Sequence, residues 1–457
     1  MASFINRETE LKLLEAWWSS SGAGMGIVWG RRRVGKTALL QHFADGLPTI
    51  FHTGAGRPAV AELAALARAA KPLLSGSVRD LDARPFVDWD DALETLAVAA
   101  ANRKLLLVLD ELPALTETSA ELPSTLRAAW DRIRARTKLK VLLCGSAVRV
   151  MEEMQEERSP LYGRVDLKLL LHPFDPREAA RMLPSLPPAE RALVWGLVGG
   201  MPLYLQWWDQ SASVKSNLQR LACIPGGQLL TEGQLVLATE GEAGDLARQV
   251  LYAIAAGRTK FNEIEQEVRA DPGRTLDRLV ALRLVERVVP VTEDPRRTRR
   301  RIYRIADNFL AFWLSLLDRY RPEIERGLGK SILPILLGSL DGQMGVPWEE
   351  AFRSHLRRLA AAGEIGPEVV AIGPFWTAAG DPGEIDAVAL SGRGREAVLV
   401  GEAKWRKKVD GGRIRGTLER KAAALPKRAP DLRFAVCARE EVSSSGDLMA
   451  VTAADIF

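Results

Sequence analysis

Eight residues near the N-terminus constrain the fold of this chain more than any other feature. Residues 30–37 (GRRRVGKT) follow the pattern G-x-x-x-x-G-K-[ST], with an apolar stretch before them and a helix-like stretch, TALLQHFA, after them. Such glycines allow backbone N–H groups to surround phosphate oxygens at a helix N-terminus, where the helix dipole favours negative charge. A chance glycine turn is the alternative, and the strand and helix patterns on either side disfavour it.

The motif predicts a site for ATP and Mg²⁺. We expect Lys36 to reach the β- and γ-phosphates and the Thr37 hydroxyl to bind Mg²⁺. The residues of this loop that we expect to contact the nucleotide are Gly30, Arg31, Arg32, Arg33, Val34, Gly35, Lys36, Thr37 and Ala38.

An acidic pair further along the chain supports the same site. Asp110 and Glu111 end the apolar run LLLVLDE, and two carboxylates at the end of a buried strand are costly unless they meet a metal or water. We expect Asp110 to hold Mg²⁺ through its water shell and Glu111 to polarise the attacking water. Ser146 ends the next predicted strand, where its hydroxyl would orient that water or contact the γ-phosphate. A surface pair of carboxylates is the alternative.

The spacing of apolar residues predicts five domains. Apolar runs alternate with helical stretches up to residue 175, which is typical of a parallel sheet, with strands expected at 25–30, 48–52, 104–111, 138–146 and 165–171. Later, three helices and two strands joined by an arginine-rich turn predict a winged helix, whose third helix (271–285) would enter the major groove. The predicted domains are a P-loop ATPase core (1–175), a helical lid (176–240), a winged helix (241–306), a helical connector (307–345) and a second α/β domain (346–457).

A second group of charged residues lies in the last quarter of the chain. Asp386 (GEIDAVAL), Glu402 and Lys404 (VLVGEAKW) lie in two β-patterned stretches joined by a glycine-containing turn, so a hairpin would bring them together. Two acidic groups and a lysine at the rim of one sheet can bind Mg²⁺ and activate water for phosphodiester cleavage. Glu349, on a preceding amphipathic helix, would complete the metal site, with Glu350 as the less favoured neighbour. Charges on edge strands are the alternative, which spacing alone favours.

The motifs FINRETEL, GRRRVGKT, VLDE, LLCGS, SPLYGR and GGMP occur here in the order of a known family. Over essentially its whole length the chain resembles archaeal and bacterial P-loop ATPases related to the STAND and AAA+ branches, in the variant with a DUF234-type tail similar to PD-(D/E)XK nucleases. The resemblance implies an α/β fold with a P-loop NTPase parallel sheet and a helical lid. A winged-helix domain and a C-terminal α/β restriction-endonuclease-like domain would follow.

The resemblance also implies roles for single residues. Arg164 (SPLYGR) corresponds to a basic residue that faces the nucleotide phosphates, and Pro202 (GGMP) to a lid contact near the base. Asn6 replaces the small residue expected at its position, which leaves the adenine contact open. The segment that would approach the adenine contains Phe4, Arg7 and Glu8.

Charge is distributed unevenly, although the formal net charge is only +5. Residues 296–301 (RRTRRR) hold five arginines, and residues 403–433 hold eleven Lys and Arg against three Asp and Glu. Such patches suit the phosphate backbone of DNA, and a solvated loop with a charged helix face is an equal alternative. The three cysteines lie far apart and no apolar run is long enough for a membrane helix, so we expect a cytoplasmic protein with no membrane partner.

Two functions compete on these observations. The favoured one is an ATP-driven protein that engages DNA through helix 271–285 and the tip Arg296–Arg301, with a tail that binds or cleaves DNA. The alternative is a STAND-type signalling switch, in which the winged helix packs against the nucleotide and the tail is a non-catalytic interaction module. A homo-oligomer or a protein partner is compatible with both.

Overall fold

The computed structural model describes residues 4–74, 80–240, 244–366, 368–377, 383–443 and 446–457. The chain divides into two compact units, Met1–Pro173 and Phe174–Phe457. The finer division of the second unit into a lid, a winged helix, a connector and a tail stays a prediction.

The first unit is built on a five-stranded sheet in which all neighbouring strands are parallel. Its strands, in spatial order β2-β3-β4-β1-β5, are β1 (Gly24–Trp29), β2 (Thr49–Thr53), β3 (Leu105–Asp110), β4 (Leu139–Gly145) and β5 (Leu167–Leu170). Every residue of β1, β3 and β4 is buried, as expected for parallel strands inside an α/β fold. The predicted α/β class with a parallel sheet is confirmed, since all five expected strands are present.

The helices of this unit connect the strands and supply most of its apolar core. Helix α2 starts directly after the GRRRVGKT loop, and α4 is capped by Asp88, whose side chain accepts a hydrogen bond from the Asp91 N–H. The helices are α1 (Glu8–Ser19), α2 (Lys36–Ala44), α3 (Ala59–Leu74), α4 (Trp89–Ala99), α5 (Leu112–Thr118), α6 (Leu122–Ile133) and α7 (Val148–Glu153).

The second unit opens with five helices, as the sequence predicts for residues 176–240. Three of them start with proline, which is favoured at a first helical position because its missing N–H would have no partner there. They are α8 (Pro176–Met182), α9 (Pro188–Val198), α10 (Pro202–Trp207), α11 (Val214–Ala222) and α12 (Gln228–Glu240).

Three more helices and an antiparallel hairpin follow, in the order expected for a winged helix. The expected helix over 271–285 is wrong in its extent, because it ends at Ala281. Arg283 adopts a left-handed backbone (φ 57°), which turns the chain so that β6 starts at Val285. The elements are α13 (Asp245–Ala255), α14 (Phe261–Val268), α15 (Gly273–Ala281), β6 (Val285–Val288) and β7 (Ile302–Ile305).

A run of short helical turns and two longer helices lead into a second sheet. The helices are α16 (Asn308–Phe312), α17 (Arg321–Glu323), α18 (Gly329–Gln343) and α19 (Gly345–Ala361). The remaining elements are β8 (Val369–Phe375), β9 (Ile385–Ser391), β10 (Glu396–Lys404), β11 (Lys408–Asp410), α20 (Gly411–Ala422), β12 (Arg428–Ala438), β13 (Glu441–Ser443), β14 (Met449–Val451) and α21 (Ala453–Ile456).

This second sheet is mixed and has the order β14-β12-β10-β9-β8. Strands β8, β9 and β10 pair antiparallel, whereas β10, β12 and β14 pair parallel. The expected hairpin that joins the strands of Asp386 and Glu402 is therefore present. None of the helices in the described ranges combines the length and the apolarity that crossing a membrane requires.

A close backbone approach makes Gly200, in the GGMP motif, sensitive to substitution. The Phe174 N–H donates to the Gly200 carbonyl (2.8 Å), and a Cβ at Gly200 would lie 1.9 Å from the Phe174 carbonyl oxygen. We predict that Gly200→Ala lowers the free energy of unfolding by about 1–3 kcal/mol, because backbone must move to admit the methyl group. Urea denaturation followed by circular dichroism measures this.

The matched control is Gly338→Ala in α18. A Cβ at Gly338 meets nothing within 4 Å, so alanine should leave stability unchanged or raise it by up to about 1 kcal/mol. Equal effects of the two substitutions would contradict the packing described at Gly200.

Candidate functional site

The loop of residues 30–37 connects β1 to α2 through backbone conformations that favour glycine. Gly30 and Gly35 have φ values of 154° and 93°. A Cβ at Gly30 would lie 2.5 Å from the Leu171 carbonyl oxygen. The two motif glycines are therefore required by the path of the chain and by close packing.

The side chains of Lys36 and Thr37 link this loop to the rest of the site. The buried Lys36 Nζ donates to the carbonyl oxygens of Gly30 (2.9 Å) and Arg31 (3.0 Å). The Thr37 hydroxyl donates to Asp110 Oδ2 (2.8 Å) at the end of β3. The loop after β1 and the end of β3 thus meet at one edge of the sheet, although 73 residues separate the two partners.

The acidic pair is held in a defined geometry. Asp110 is 1% exposed, and its Oδ1 accepts a hydrogen bond from the Glu111 N–H (3.1 Å). Glu111 has a left-handed backbone (φ 51°) and is the residue before α5. The Ser146 hydroxyl donates to Glu111 Oε2 (2.8 Å) and so holds the predicted base, and its contact with the water or the γ-phosphate stays a prediction.

Cys144 of β4 is a neighbour of this site that the sequence patterns do not single out. Burial raises the pKa of its thiol well above the usual range, and a hydrogen bond and charge interaction with Asp110 add to the effect. Cys144 therefore stays a neutral thiol against the carboxylate of Asp110.

The N-terminal segment packs against the phosphate-binding loop. The buried Arg7 donates to the carbonyl oxygens of Val34 (3.1 Å) and His172 (2.7 Å). The Phe4 ring stacks on His42 of α2, with centroids 4.3 Å apart. The role of Arg7 in holding the loop was not predicted, and the adenine contacts of Phe4, Arg7 and Glu8 stay predictions.

Arg164 makes a bidentate ion pair with Asp131 of α6. Its Nε and Nη2 lie 2.9 and 2.7 Å from the two carboxylate oxygens, and Nη1 donates to the Pro160 and Tyr162 carbonyls. A contact between Arg164 and phosphates would require this pair to open. Pro202 is the first residue of α10 in the second unit, and its approach to the base stays a prediction.

In the second unit, the hairpin of β9 and β10 carries the other predicted group. Asp386 (8% exposed) accepts a hydrogen bond from the Ala403 N–H through Oδ2 (2.9 Å). Glu402 (6% exposed) binds Lys404 Nζ at 2.7 Å and Lys421 Nζ at 2.9 Å. Lys421, on α20, belongs to the basic stretch 403–433 but was not singled out from the sequence.

Arg353 of α19 compensates the carboxylates of Glu349 and Glu350 on its own helix. Its guanidinium is 2% exposed, donates to the Asp386 carbonyl (2.7 Å) and to Glu350 (2.9 Å), and lies 3.5 Å from Glu349. Burial, and then the negative charges of Glu349 and Glu402, raise the pKa of Asp386 to about 7. Sequence reasoning missed Arg353, although its spacing four residues after Glu349 on a helix is a recognisable signal.

The predicted metal ligands of this region are not gathered into one group. Among the described residues, no set of three or more His, Cys, Asp or Glu side chains is arranged to hold a metal ion. Glu402 is paired with two lysines, and Glu349 faces Arg353 and Arg304 (3.9 Å). The oxygen donors suit Mg²⁺ chemically, and metal binding by Asp386, Glu402 and Glu349 stays a prediction.

The raised pKa of Asp386 gives a prediction about stability and pH. Its folded pKa of about 7 exceeds the ordinary value of 3.8, so between these values the folded state binds more protons than the unfolded state. The Asp386 contribution to the free energy of unfolding therefore falls as pH rises from about 4 to about 7. We predict that Asp386→Asn, which keeps an oxygen acceptor for Ala403, is more stable than wild type at pH 8 and similar near pH 4.

Urea denaturation in EDTA over this pH range measures the difference. Asp431→Asn, at an exposed position of β12, is the matched control and should give the wild-type pH profile. A stability difference for Asp386→Asn that is the same at pH 4 and pH 8 would contradict the prediction.

Comparisons with known proteins find a family match for each of two regions of the chain. A family described as an ATPase domain predominantly from Archaea matches residues 4–207, and a family of archaeal and bacterial proteins of unknown function, DUF234, matches residues 313–416. An uncharacterized protein of Methanocaldococcus jannaschii is 24% identical over 412 residues, which is 88% of each chain. An uncharacterized ATP-binding protein of the same organism is 48% identical over 42 residues, 9% of this chain and 71% of that protein.

Among solved structures, the Walker-type ATPase of Pyrococcus abyssi is similar in fold. It is 21% identical, has a TM-score of 0.51, and the match covers 68% of this chain and 96% of that chain. The family matches agree with the phosphate-binding loop and the acidic pair at the edge of the parallel sheet. This chain therefore carries the predominantly archaeal ATPase domain at residues 4–207 and the DUF234 region at residues 313–416.

Proposed function

We propose that the chain hydrolyses ATP with Mg²⁺ at the loop of residues 30–37, and that its second unit engages DNA. The observation that carries the first part is the hydrogen bond between Thr37 and Asp110, beside Lys36 and Glu111. A hydroxyl, two carboxylates and a buried lysine at a helix N-terminus are the groups that phosphoryl transfer requires.

Each residue has a separate task in this proposal. Lys36 binds the β- and γ-phosphates, and Thr37 and Asp110 hold Mg²⁺, which neutralises phosphate charge when bound. Glu111 accepts the proton of the attacking water. The Ser146 hydroxyl donates to Glu111 Oε2, whereas Glu111 Oε1 accepts no hydrogen bond from a described residue. Oε1 is therefore the atom that we assign to the attacking water.

Glu111→Gln tests this assignment because the amide keeps the shape but cannot take a proton. We predict a loss of ATP hydrolysis of about 10²- to 10⁴-fold with ATP affinity retained, whereas Lys36→Ala weakens affinity as well. Phosphate release and isothermal titration calorimetry with ATP and Mg²⁺ measure the two effects.

The control is Glu117→Gln, which makes the same chemical change at an exposed position of α5. It should hydrolyse ATP at the wild-type rate. Unchanged hydrolysis in Glu111→Gln would exclude this residue as the base, and absent nucleotide binding in wild type would exclude the proposal.

DNA engagement is supported by the three helices and the hairpin of residues 245–305. Helix α15 carries the exposed residues Arg274, Asp277 and Arg278, and the segment between β6 and β7 holds the five arginines of 296–301. A helix with a basic exposed face next to a basic loop suits the phosphate backbone of DNA. The buried and unbridged state of all three cysteines supports action in a reducing compartment, for which we propose the cytoplasm.

For the tail we propose phosphodiester cleavage by a PD-(D/E)XK-like site. Asp386, Glu402 and Lys404 lie together on the β9–β10 hairpin, with Lys404 Nζ 2.7 Å from the Glu402 carboxylate. These carboxylates would hold Mg²⁺, which would lower the pKa of a water, and Lys404 would stabilise the developing negative charge.

Plasmid DNA incubated with the protein and Mg²⁺ or Mn²⁺, with and without ATP, tests the tail. We predict cleavage that the double variant Asp386→Ala/Lys404→Ala abolishes, because it removes a carboxylate and the neighbouring ammonium group. Lys407→Ala, which removes an exposed lysine three residues later, should cleave like wild type.

Cleavage that survives the double substitution would show that this site is not responsible for it. A protein that does not cleave, whose ATPase rate DNA leaves unchanged and which oligomerises with nucleotide, would favour the STAND-type switch with a non-catalytic tail. These outcomes separate the two functions.

A further inference from the structure

A cavity of about 1040 Å³ lies within the second unit, between the helix–hairpin region of residues 245–305 and the C-terminal mixed sheet. One side is formed by the first residues of α14, part of α15 and the β6–β7 hairpin. The other side contains Trp376, which follows β8, and Lys421 of α20. Its volume is slightly above the roughly 300–1,000 Å³ of ordinary small-ligand pockets.

The arginine-rich segment is docked onto the sheet at its start. The Val291 N–H donates to the Pro374 carbonyl of β8 (2.8 Å), and Arg395 Nη2 donates to the Val291 carbonyl (2.7 Å). This docking separates the arginines of 296–301 into two groups. Arg299–Arg301 line the cavity, whereas Arg297 does not line it and is 89% exposed.

The cavity is strongly basic. Two acidic side chains, Asp277 and Glu384, face six basic ones, which are Lys260, Arg287, Arg299, Arg300, Arg301 and Lys421. Arg287 pairs with Asp277 and Arg300 with Glu293, whereas Arg299 makes no ion pair with a described residue. This excess of positive charge favours a polyanion over a neutral or cationic ligand.

Aromatic side chains accompany the charge. Phe261, the first residue of α14, is 37% exposed, and Trp376 is partly buried at the opposite wall. Basic side chains interleaved with accessible aromatic rings are the combination by which proteins bind single-stranded nucleic acid, because the bases stack on the rings. In a duplex the bases are already stacked on each other, so Phe261 and Trp376 would contact only backbone.

The cavity also reaches the acidic group of the β9–β10 hairpin. Lys421 lines the cavity, and its Nζ lies 2.9 and 3.2 Å from the two oxygens of Glu402. A phosphodiester bound beside Lys421 would therefore lie next to Glu402 and Lys404, which are the groups assigned to cleavage.

We propose that this cavity binds one strand of nucleic acid, with Arg299 on a phosphate and Phe261 against a base, and directs that strand to the Glu402 site. The proposal rests on the DNA engagement proposed above and specifies its substrate as single-stranded or locally unpaired.

Fluorescence anisotropy with a labelled single-stranded oligonucleotide of about 15 nucleotides, and with the duplex of the same sequence, tests the proposal on the full chain. Titrations at about 50–200 mM salt give the slope of log affinity against log salt. Removing one phosphate contact by Arg299→Ala should reduce the magnitude of this slope by about 0.7 for the single strand. Arg326→Ala, which removes an exposed arginine outside both the cavity and the segment of residues 296–301, is the control and should leave the slope unchanged.

Phe261→Ala provides an independent measurement because the side chain is uncharged. It should weaken single-strand binding about fivefold or more with the salt slope unchanged, as expected for the loss of one stacking contact. Arg299→Lys should restore most of the slope. Thermal melting by circular dichroism identifies any variant that fails to fold, and crosslinking of a 5-bromouracil strand with peptide mapping reports whether Phe261 or Trp376 contacts a base in the wild-type protein.

Several results would overturn the proposal that the cavity binds one strand, while leaving DNA engagement in place. These are tighter binding of the duplex than of the single strand, equal losses in Arg299→Ala and Arg326→Ala, or crosslinks confined to other peptides. Displacement of the strand by an acidic peptide at equal charge concentration, with no effect of Phe261→Ala, would identify a general polyanion site and also overturn the proposal. Absence of binding to either oligonucleotide would overturn DNA engagement itself.

Discussion

The hydrogen bond between Thr37 and Asp110 is the contact on which the nucleotide site depends. It joins the first turn of α2 to the end of β3, and it forms because β1 and β3 both border β4 in a parallel sheet. Parallel strands end at one edge, so residues far apart in sequence meet there. The glycines that turn the chain, the buried lysine and the acidic pair all occupy this edge. Arg7 adds a constraint from outside the motif by binding the Val34 carbonyl of the loop.

The second unit is organised by compensation of buried charge. Asp386 and Glu402 are both nearly inaccessible, and such carboxylates are costly unless cations or hydrogen bonds compensate them. Lys404 of β10 and Lys421 of α20 pair with Glu402. The Asp386 carboxylate accepts the Ala403 N–H, and Arg353 of α19 donates to the Asp386 backbone carbonyl. The same lysine that compensates Glu402 also lines the basic cavity. The proposed strand-binding cavity and the proposed cleavage site are therefore adjacent, although the first lies mainly in the helix–hairpin region and the second in the mixed sheet.

Docking of the segment after β6 changes how the arginine-rich sequence is interpreted. In isolation, five arginines in six positions suggest a solvated tip that grips duplex DNA. The backbone hydrogen bond between Val291 and Pro374 instead fixes the start of the segment against β8. Arg299–Arg301 then line an open cavity, whereas the exposed Arg297 does not line it. The arginines keep their charge, but their location in the cavity changes the expected ligand from duplex DNA to a single strand.

The sequence by itself determined the local features. Apolar runs located the five parallel strands, GRRRVGKT located the phosphate-binding loop, and the alternating stretches around Asp386 and Glu402 located the hairpin, because each of these depends on neighbouring residues. Tertiary structure decided the partners. Ser146 on Glu111, Asp131 on Arg164, Arg353 on the Asp386 backbone carbonyl and Lys421 on the Glu402 carboxylate are contacts between distant segments, which no local pattern specifies. The sequence also did not predict where α15 ends. The left-handed turn that follows the helix is made by Arg283, whereas a glycine at this position would have indicated the turn. Burial of Leu284 and Val285 then directs the chain into β6.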